Sequence, residues 1–272
     1  MKAVPIYYRS EMTAQSGGYS PSASKPRLAV ESCQRLGLPL DIRNFAPCSR
    51  DQIKLAHDPA FVDDLLDCQI SNGFGNRRPD VAASLPFTSG SMLAAAHEAL
   101  RNGIGAVSPT SGFHHAHYGS AGGFCSLNGL MVAALNLPAG TRVGILDLDQ
   151  HDPDGVRDIV ARLRLGIPIV HGRGTPANAE RWLQRLPALI VETFIDCDLL
   201  LVQLGADPHI EDELGGWLTD DQLRHRDRAV FKTCRAIGLP VAWNLAGGYR
   251  RDFRRVLDVH DASLQECARA WL

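Results

Sequence analysis

Val143-Gly144-Ile145-Leu146-Asp147-Leu148-Asp149-Gln150-His151-Asp152-Pro153-Asp154-Gly155 is the stretch on which the reading of this chain turns. An apolar, β-type run, Val143–Leu148, passes without a break into carboxylates, an imidazole, a proline and a glycine. A short continuous apolar run bounded by turn residues suits a strand buried on both faces, as in a parallel sheet covered by helices. Residues two apart on an extended segment face the same side, about 6.6–6.8 Å along the chain. Asp149 and His151 can therefore converge on one ion, and Asp207, from a separate strand, is a candidate third ligand. Such a carboxylate–imidazole–carboxylate set leaves a position open for water or substrate, as catalytic divalent sites do. The plainer alternative is an Asp/His loop that caps helix ends.

Working outward, four more runs read as strands: Lys2–Tyr8, Ile104–Ser108, Leu199–Leu204 and Pro240–Asn244. Helices are expected near Leu127–Leu135, Ala177–Phe194 and Asp220–Ile237. The last opens on Thr219 and Gln222 at capping-box spacing and stops before Gly238. Residues 13–26, rich in Ser, Gly and Pro, read as a loop. A turn-rich stretch, 71–90, separates an apolar helix at Phe61–Leu66 from an Ala-rich one near Ser91–Leu100. Neither is long enough for a domain linker, so 1–272 is read as a single α/β domain. Its expected core is one open, mostly parallel sheet flanked by helices on both faces.

In such sheets ligands bind beyond the carboxyl ends of the strands. The exit after 104–108 carries Ser111-Gly112-Phe113-His114-His115-Ala116-His117; the others carry Gly205-Ala206-Asp207 and Leu245-Ala246-Gly247-Gly248-Tyr249. Imidazoles titrate near neutral pH, so the His114-His115 pair suits general acid/base work, with Asp147 and Asp154 as carboxylates to orient it. A pair satisfied by loop backbone is the alternative. His117, His171 and His209 read as ordinary loop histidines. The glycines before Tyr249 allow close approach to a ligand, and its hydroxyl can donate to a developing oxyanion. Glu211-Asp212-Glu213, if at the pocket mouth, would draw cationic substrates, although a solvated acidic turn explains it equally well.

Composition closes off other classes. The 28 Lys and Arg nearly balance the 30 Asp and Glu, for a net charge of −2, so no basic footprint for nucleic acid exists. No apolar stretch is long enough to span a membrane. Seven cysteines occur without a Cys-x-x-Cys pair, which suits reduced thiols in a cytoplasm.

Taken together, Gly112–Ala116, Gly122-Gly123-Phe124-Cys125-Ser126-Leu127-Asn128, Asp147–Gly155, Leu204–Asp207 and Gly247–Tyr249 resemble the histone deacetylase superfamily, which includes acetylpolyamine amidohydrolases. The five motifs follow the family's order. The resemblance implies an arginase/deacetylase-like fold and a zinc hydrolase, with ferrous iron the alternative metal. It makes Asp149, His151 and Asp207 the metal ligands and His114 and His115 the acid/base pair, partnered by Asp147 and Asp154. Tyr249 becomes the residue that polarises the amide carbonyl, and Phe113, Gly123 and Phe124 line an acyl-lysine tunnel. Two departures stand out. Asp152-Pro153 replaces the usual residues after the ligand histidine, and the interval from His151 to Asp207 is short. The potassium site of many relatives is therefore not assigned to this chain, and an altered pocket rim is expected.

The expected activity is removal of an acyl group from an acyl-lysine in peptide or protein, or from an acylated polyamine. Two rivals remain: a ureohydrolase-like binuclear manganese enzyme, and a protein that binds metal and acyl ligand without turnover.

Overall fold

The structure, a computed structural model, describes residues 1–272. Seven strands form one sheet: β1 (Val4–Tyr7), β2 (Leu40–Arg43), β3 (Gly105–Ser108), β4 (Val143–Asp147), β5 (Ile169–His171), β6 (Leu199–Gln203) and β7 (Val241–Asn244). Their spatial order is β2-β1-β3-β7-β6-β4-β5, and every pairing is parallel. Nine α-helices cover it: α1 (Lys25–Cys33), α2 (Arg50–Lys54), α3 (Pro59–Leu66), α4 (Pro79–Asn102), α5 (Gly129–Leu135), α6 (Asp154–Arg162), α7 (Ala179–Phe194), α8 (Asp220–Ile237) and α9 (Phe253–Trp271).

The sheet separates two apolar cores, and the strands supply both in strict alternation. Leu199 and Leu201 of β6 face the core built with α2 to α6, where Ile53, Phe61, Met92 and Leu130 pack. Leu200 and Val202 face the other, with Leu186, Phe194, Phe231 and Leu264 from α7, α8 and α9. A strand buried on both faces gains from every side chain, each worth about 1.5–3 kcal/mol when fully buried. That is why the central strands are unbroken apolar runs.

Three parts of the chain depart from the sequence reading. Edge strands β2 and β5 were not anticipated: Leu40-Asp41-Ile42-Arg43 is partly exposed and half charged, and β5 has 3 residues. The stretch 71–90 is helical from Pro79 onward, because proline is tolerated at the first helical position. Its Ser and Gly residues are packing devices. Ser91 Oγ donates to the Tyr7 carbonyl at 2.6 Å, and a Cβ on Gly90 would lie 2.6 Å from the Ala46 oxygen. Finally, the loop expected over 13–26 gives way to α1 at Lys25.

At the carboxyl edge the apolar sheet ends in a polar rung. Ser108, Asn244, Gln203, Asp147 and His171 sit in register across β3, β7, β6, β4 and β5. Gln203 Nε2 donates to Asp147 Oδ2 at 3.3 Å, and Asn244 Nδ2 to Gln203 Oε1 at 3.4 Å. The segments leaving this rung carry most of the side chains considered next.

Candidate active site

Beyond β4 the chain does not stay extended but bends at Asp149, Gln150 and His151, and its own carboxylates fix the bend: Asp149 N–H donates to Asp147 Oδ1 and His151 N–H to Asp149 Oδ1, both at 3.0 Å. Asp207 follows β6, the neighbour of β4. The ligand atoms of Asp149, His151 and Asp207 lie within 4.8 Å of one another. His151 Nδ1 stands 3.2 Å from Asp149 Oδ1 and 3.0 Å from Asp207 Oδ2. The fully buried guanidinium of Arg226 ties the two exits from below, donating to the Leu148 and Gly205 carbonyls at 3.0 and 2.9 Å. Gly247 N–H donates to Asp149 Oδ2 at 2.8 Å, a close approach that needs glycine, since a Cβ there would lie 2.5 Å from Asp207 Oδ2.

The electrostatics suit a cation. Burial and the Asp149 charge push the Asp207 carboxyl far above the carboxylate range, and hydrogen bonds to both carboxylates drive the His151 imidazole up to about 10. A divalent ion among these groups would relieve the repulsion between two buried carboxylates that protons now relieve. Two oxygens and one imidazole nitrogen form a donor set suited to zinc or ferrous iron.

The tandem histidines each meet one carboxylate. His114 Nδ1 lies 3.0 Å from Asp147 Oδ2, and its Nε2 lies 3.6 Å from Asp149 Oδ1. His115 Nδ1 lies 2.6 Å from Asp154 Oδ1. Pro153 caps α6 with φ at −75°, and Asp154 is the first residue of that helix. The two imidazole rings are 4.1 Å apart, and His115 is 5.9 Å from His151. Gly123, at φ +52°, lets the backbone lie against the His115 ring, where any Cβ would overlap it.

Tyr249 is 9% exposed, and burial raises its hydroxyl well above the phenol range. Its ring lies 5.5 Å from Phe124, which stacks on Phe74 at 6.1 Å. Phe113 turns inward instead, at φ +97°, with its ring over Gly129 of α5.

Other side chains take places their sequence context did not signal. His171, read as an ordinary loop residue, points Nε2 at the Asp149 carbonyl, 3.2 Å away. Lys25, at the end of the expected loop, is fully buried and donates to the Ala246 and Gly247 carbonyls at 2.6 and 3.1 Å. The acidic turn is not a free negative patch, because Glu211 pairs with Arg250 and Glu213 with Arg251. Nothing local in the sequence announces these contacts, which join segments up to 222 positions apart. His117 lies 3.5 Å from Asp154 and 3.6 Å from Asp158, and His209 accepts the Glu211 N–H. No helix is long and apolar enough to cross a membrane.

Comparison with known proteins points the same way. The histone deacetylase domain profile matches residues 19–165, more than half of the chain. That span holds both histidines, Asp149, His151 and Asp154 but stops before Asp207 and Tyr249. An uncharacterized protein of Picosynechococcus sp. is 27% identical over 248 residues, covering 78% of this chain and 79% of its own length. The acetylpolyamine amidohydrolase of Burkholderia pseudomallei is 41% identical over 66 residues, 24% of this chain and 19% of that protein. Among solved structures, the HD domain of HDA15 matches with a TM-score of 0.78 over 98% of this chain and 88% of that one. At 17% identity this likeness shows the shared fold.

Proposed function

The chain belongs to the histone deacetylase family, and we propose that it is a metal-dependent amidohydrolase that removes the acyl group from an acyl-lysine or an acylated polyamine. One observation carries the reading: the Asp149/His151/Asp207 triad lies beside two His–Asp pairs, at the strand ends that also carry Tyr249. Zinc is the metal proposed, with ferrous iron the alternative. When bound, the ion would polarise the acyl carbonyl and acidify an attacking water.

The remaining work falls to the chain's own groups. His115 is the base. Burial and the charge of His114 lower its affinity for protons, so it is neutral at neutral pH, and Asp154 holds Nδ1 and leaves Nε2 to take the proton from water. It then returns that proton to the departing amine. His114, its Nδ1 held by Asp147, supplies positive charge beside the reacting carbonyl. Tyr249 donates its hydroxyl to the carbonyl oxygen as negative charge builds there. Phe124, with Gly123 beside it, forms the wall along which an acyl-bearing methylene chain would lie, and Phe113, its ring packed on Gly129, backs this region from the core. A binuclear manganese site has less support, since Asp152 is engaged by Arg157 at 2.9 Å and position 153 offers no donor.

The test is amine release from acetyl-lysine peptides and from acetylated polyamines by protein loaded with zinc or ferrous iron, with and without a chelator. Release that the chelator abolishes is expected. Replacing Tyr249 by Phe should keep the metal and lower turnover by roughly 10²–10³-fold. No release from any amide, with hydroxamate binding retained, would instead identify a binding protein.

A further inference from the structure

The turn that carries Tyr249 cannot hold its shape unaided. Ala246 sits at φ +51° and Gly248 at φ +139°, conformations that L-residues other than glycine rarely adopt. The carbonyl side of the turn is gripped by Lys25 and by Ser111, whose Oγ donates to the Ala246 oxygen at 2.6 Å. These contacts hold residues 246 and 247, and none reaches Tyr249 itself.

Tyr249 is reached from the opposite side. Its backbone N–H donates to Asp212 Oδ2 at 2.7 Å, and the other carboxylate oxygen accepts the Leu214 N–H at 3.0 Å. Asp212 is 8% exposed, so its charge is spent on these two backbone donors rather than on water. Its neighbours run alongside the same strand exit, Glu211 against Arg250 and Glu213 against Arg251. Tyr19 also donates its hydroxyl to Glu213. Exposed ion pairs of this kind add little individually. Tyr19 reaches the Tyr249 carbonyl as well, at a longer 3.4 Å, whereas the buried carboxylate alone accepts the Tyr249 N–H.

We propose that Asp212 is a positioning residue for Tyr249, and that the acidic turn it belongs to is a strap holding the phenol toward the reacting carbonyl. The proposal rests on the reading that Tyr249 polarises that carbonyl. The strap sets where the tyrosine stands, so its loss should act on turnover and leave substrate affinity nearly alone.

The experiment is a double-mutant cycle in the zinc-loaded protein, with an acetyl-lysine peptide as substrate. Two replacements are used in case one fails to fold. Asp212→Ala removes both contacts, and Asp212→Asn keeps one, because its amide nitrogen repels the second N–H. Each should lower kcat by roughly 10–100-fold and change KM by less than about threefold. In the Tyr249→Phe background the same changes should lower kcat by less than about threefold, because the hydroxyl they position is gone. An equal loss in both backgrounds would overturn the proposal. If Tyr249→Phe alone leaves kcat intact, the amide-cleaving role of Tyr249 fails, and amide hydrogen exchange decides the strap separately. Exchange over residues 245–251 should rise at least about tenfold in Asp212→Ala while β6 stays protected, and unchanged exchange there refutes the strap.

Discussion

Two histidines adjacent in sequence, each on a carboxylate, stand in opposite surroundings. His114 and Asp147 are sealed, at 3% and 0% exposure. The His115 side chain is 21% exposed and that of Asp154 50%. Burial disfavours protonation of both imidazoles, yet only His114 faces enough negative charge, from Asp147 and Asp149, to reverse this and rise to about 9. His115 is lowered by burial and by its charged neighbour. One charged and one neutral imidazole, 4.1 Å apart, follow from the carboxylates behind them rather than from the histidines. On the proposed mechanism the inner pair holds a fixed charge within the framework, and the outer pair exchanges protons.

The sharpest way to break this contrast is His115→Ala, which should lower kcat by roughly 10²–10⁴-fold, with thermal unfolding little changed. Activity near that of the unmodified protein would reverse the assignment. Next come the carboxylates. Asp147→Asn leaves either His114 or the Asp149 N–H without its buried acceptor, removes the charge facing His114, and should cost about 3–5 kcal/mol in urea unfolding. Asp154→Asn, at a half-exposed position, should cost less than about 1 kcal/mol. Equal costs would show that the two pairs are not framework and exchanger.

Stability against pH sharpens it further. In metal-free protein the raised His114 value is stabilising below the unfolded pKa, near 6.5, and this gain is lost as pH rises through about 9. The swing amounts to about 3 kcal/mol. The lowered His115 value acts with opposite sign, because below about 6.5 the unfolded chain binds a proton that the native imidazole refuses. Urea midpoints should therefore fall on both sides of neutrality, with His114→Gln flattening the alkaline limb and His115→Gln the acid one. The smallest effect expected is spectroscopic. Zinc loading should move the His114 titration, followed by NMR of its ring protons, below about 9, because the ion would neutralise Asp149 and Asp207, two of the three carboxylates that raise it. An unmoved titration would separate His114 from the metal site.

Legibility followed burial and sequence distance. Strands buried on both faces, such as Leu199–Gln203, announced themselves as unbroken apolar runs, and Thr219, Gln222 and Gly238 marked the limits of α8 as caps. The polar residues at the strand exits were conspicuous for the same reason, as interruptions of apolar pattern. Edge strand β2 was invisible because a half-solvated strand of 4 residues needs no apolar signature. The Ala-rich second half of helix α4 was legible, but its first half was hidden by Pro79, Pro86 and a run of small residues chosen for close packing. Lys25, His171 and Asp212 were misread because their partners are backbone atoms, and a carbonyl or an N–H leaves no letter in a sequence.

The strand order has a consequence for how the chain comes to exist. β7 is the only strand that touches both β3 and β6, so it alone joins the β2-β1-β3 half of the sheet to the β6-β4-β5 half. It is also the last strand to leave the ribosome. Until Asn244 has emerged, a nascent chain can assemble at most two three-stranded fragments, each with a naked inner margin open to aggregation. Chaperone protection late in synthesis, rather than early, is what this topology calls for.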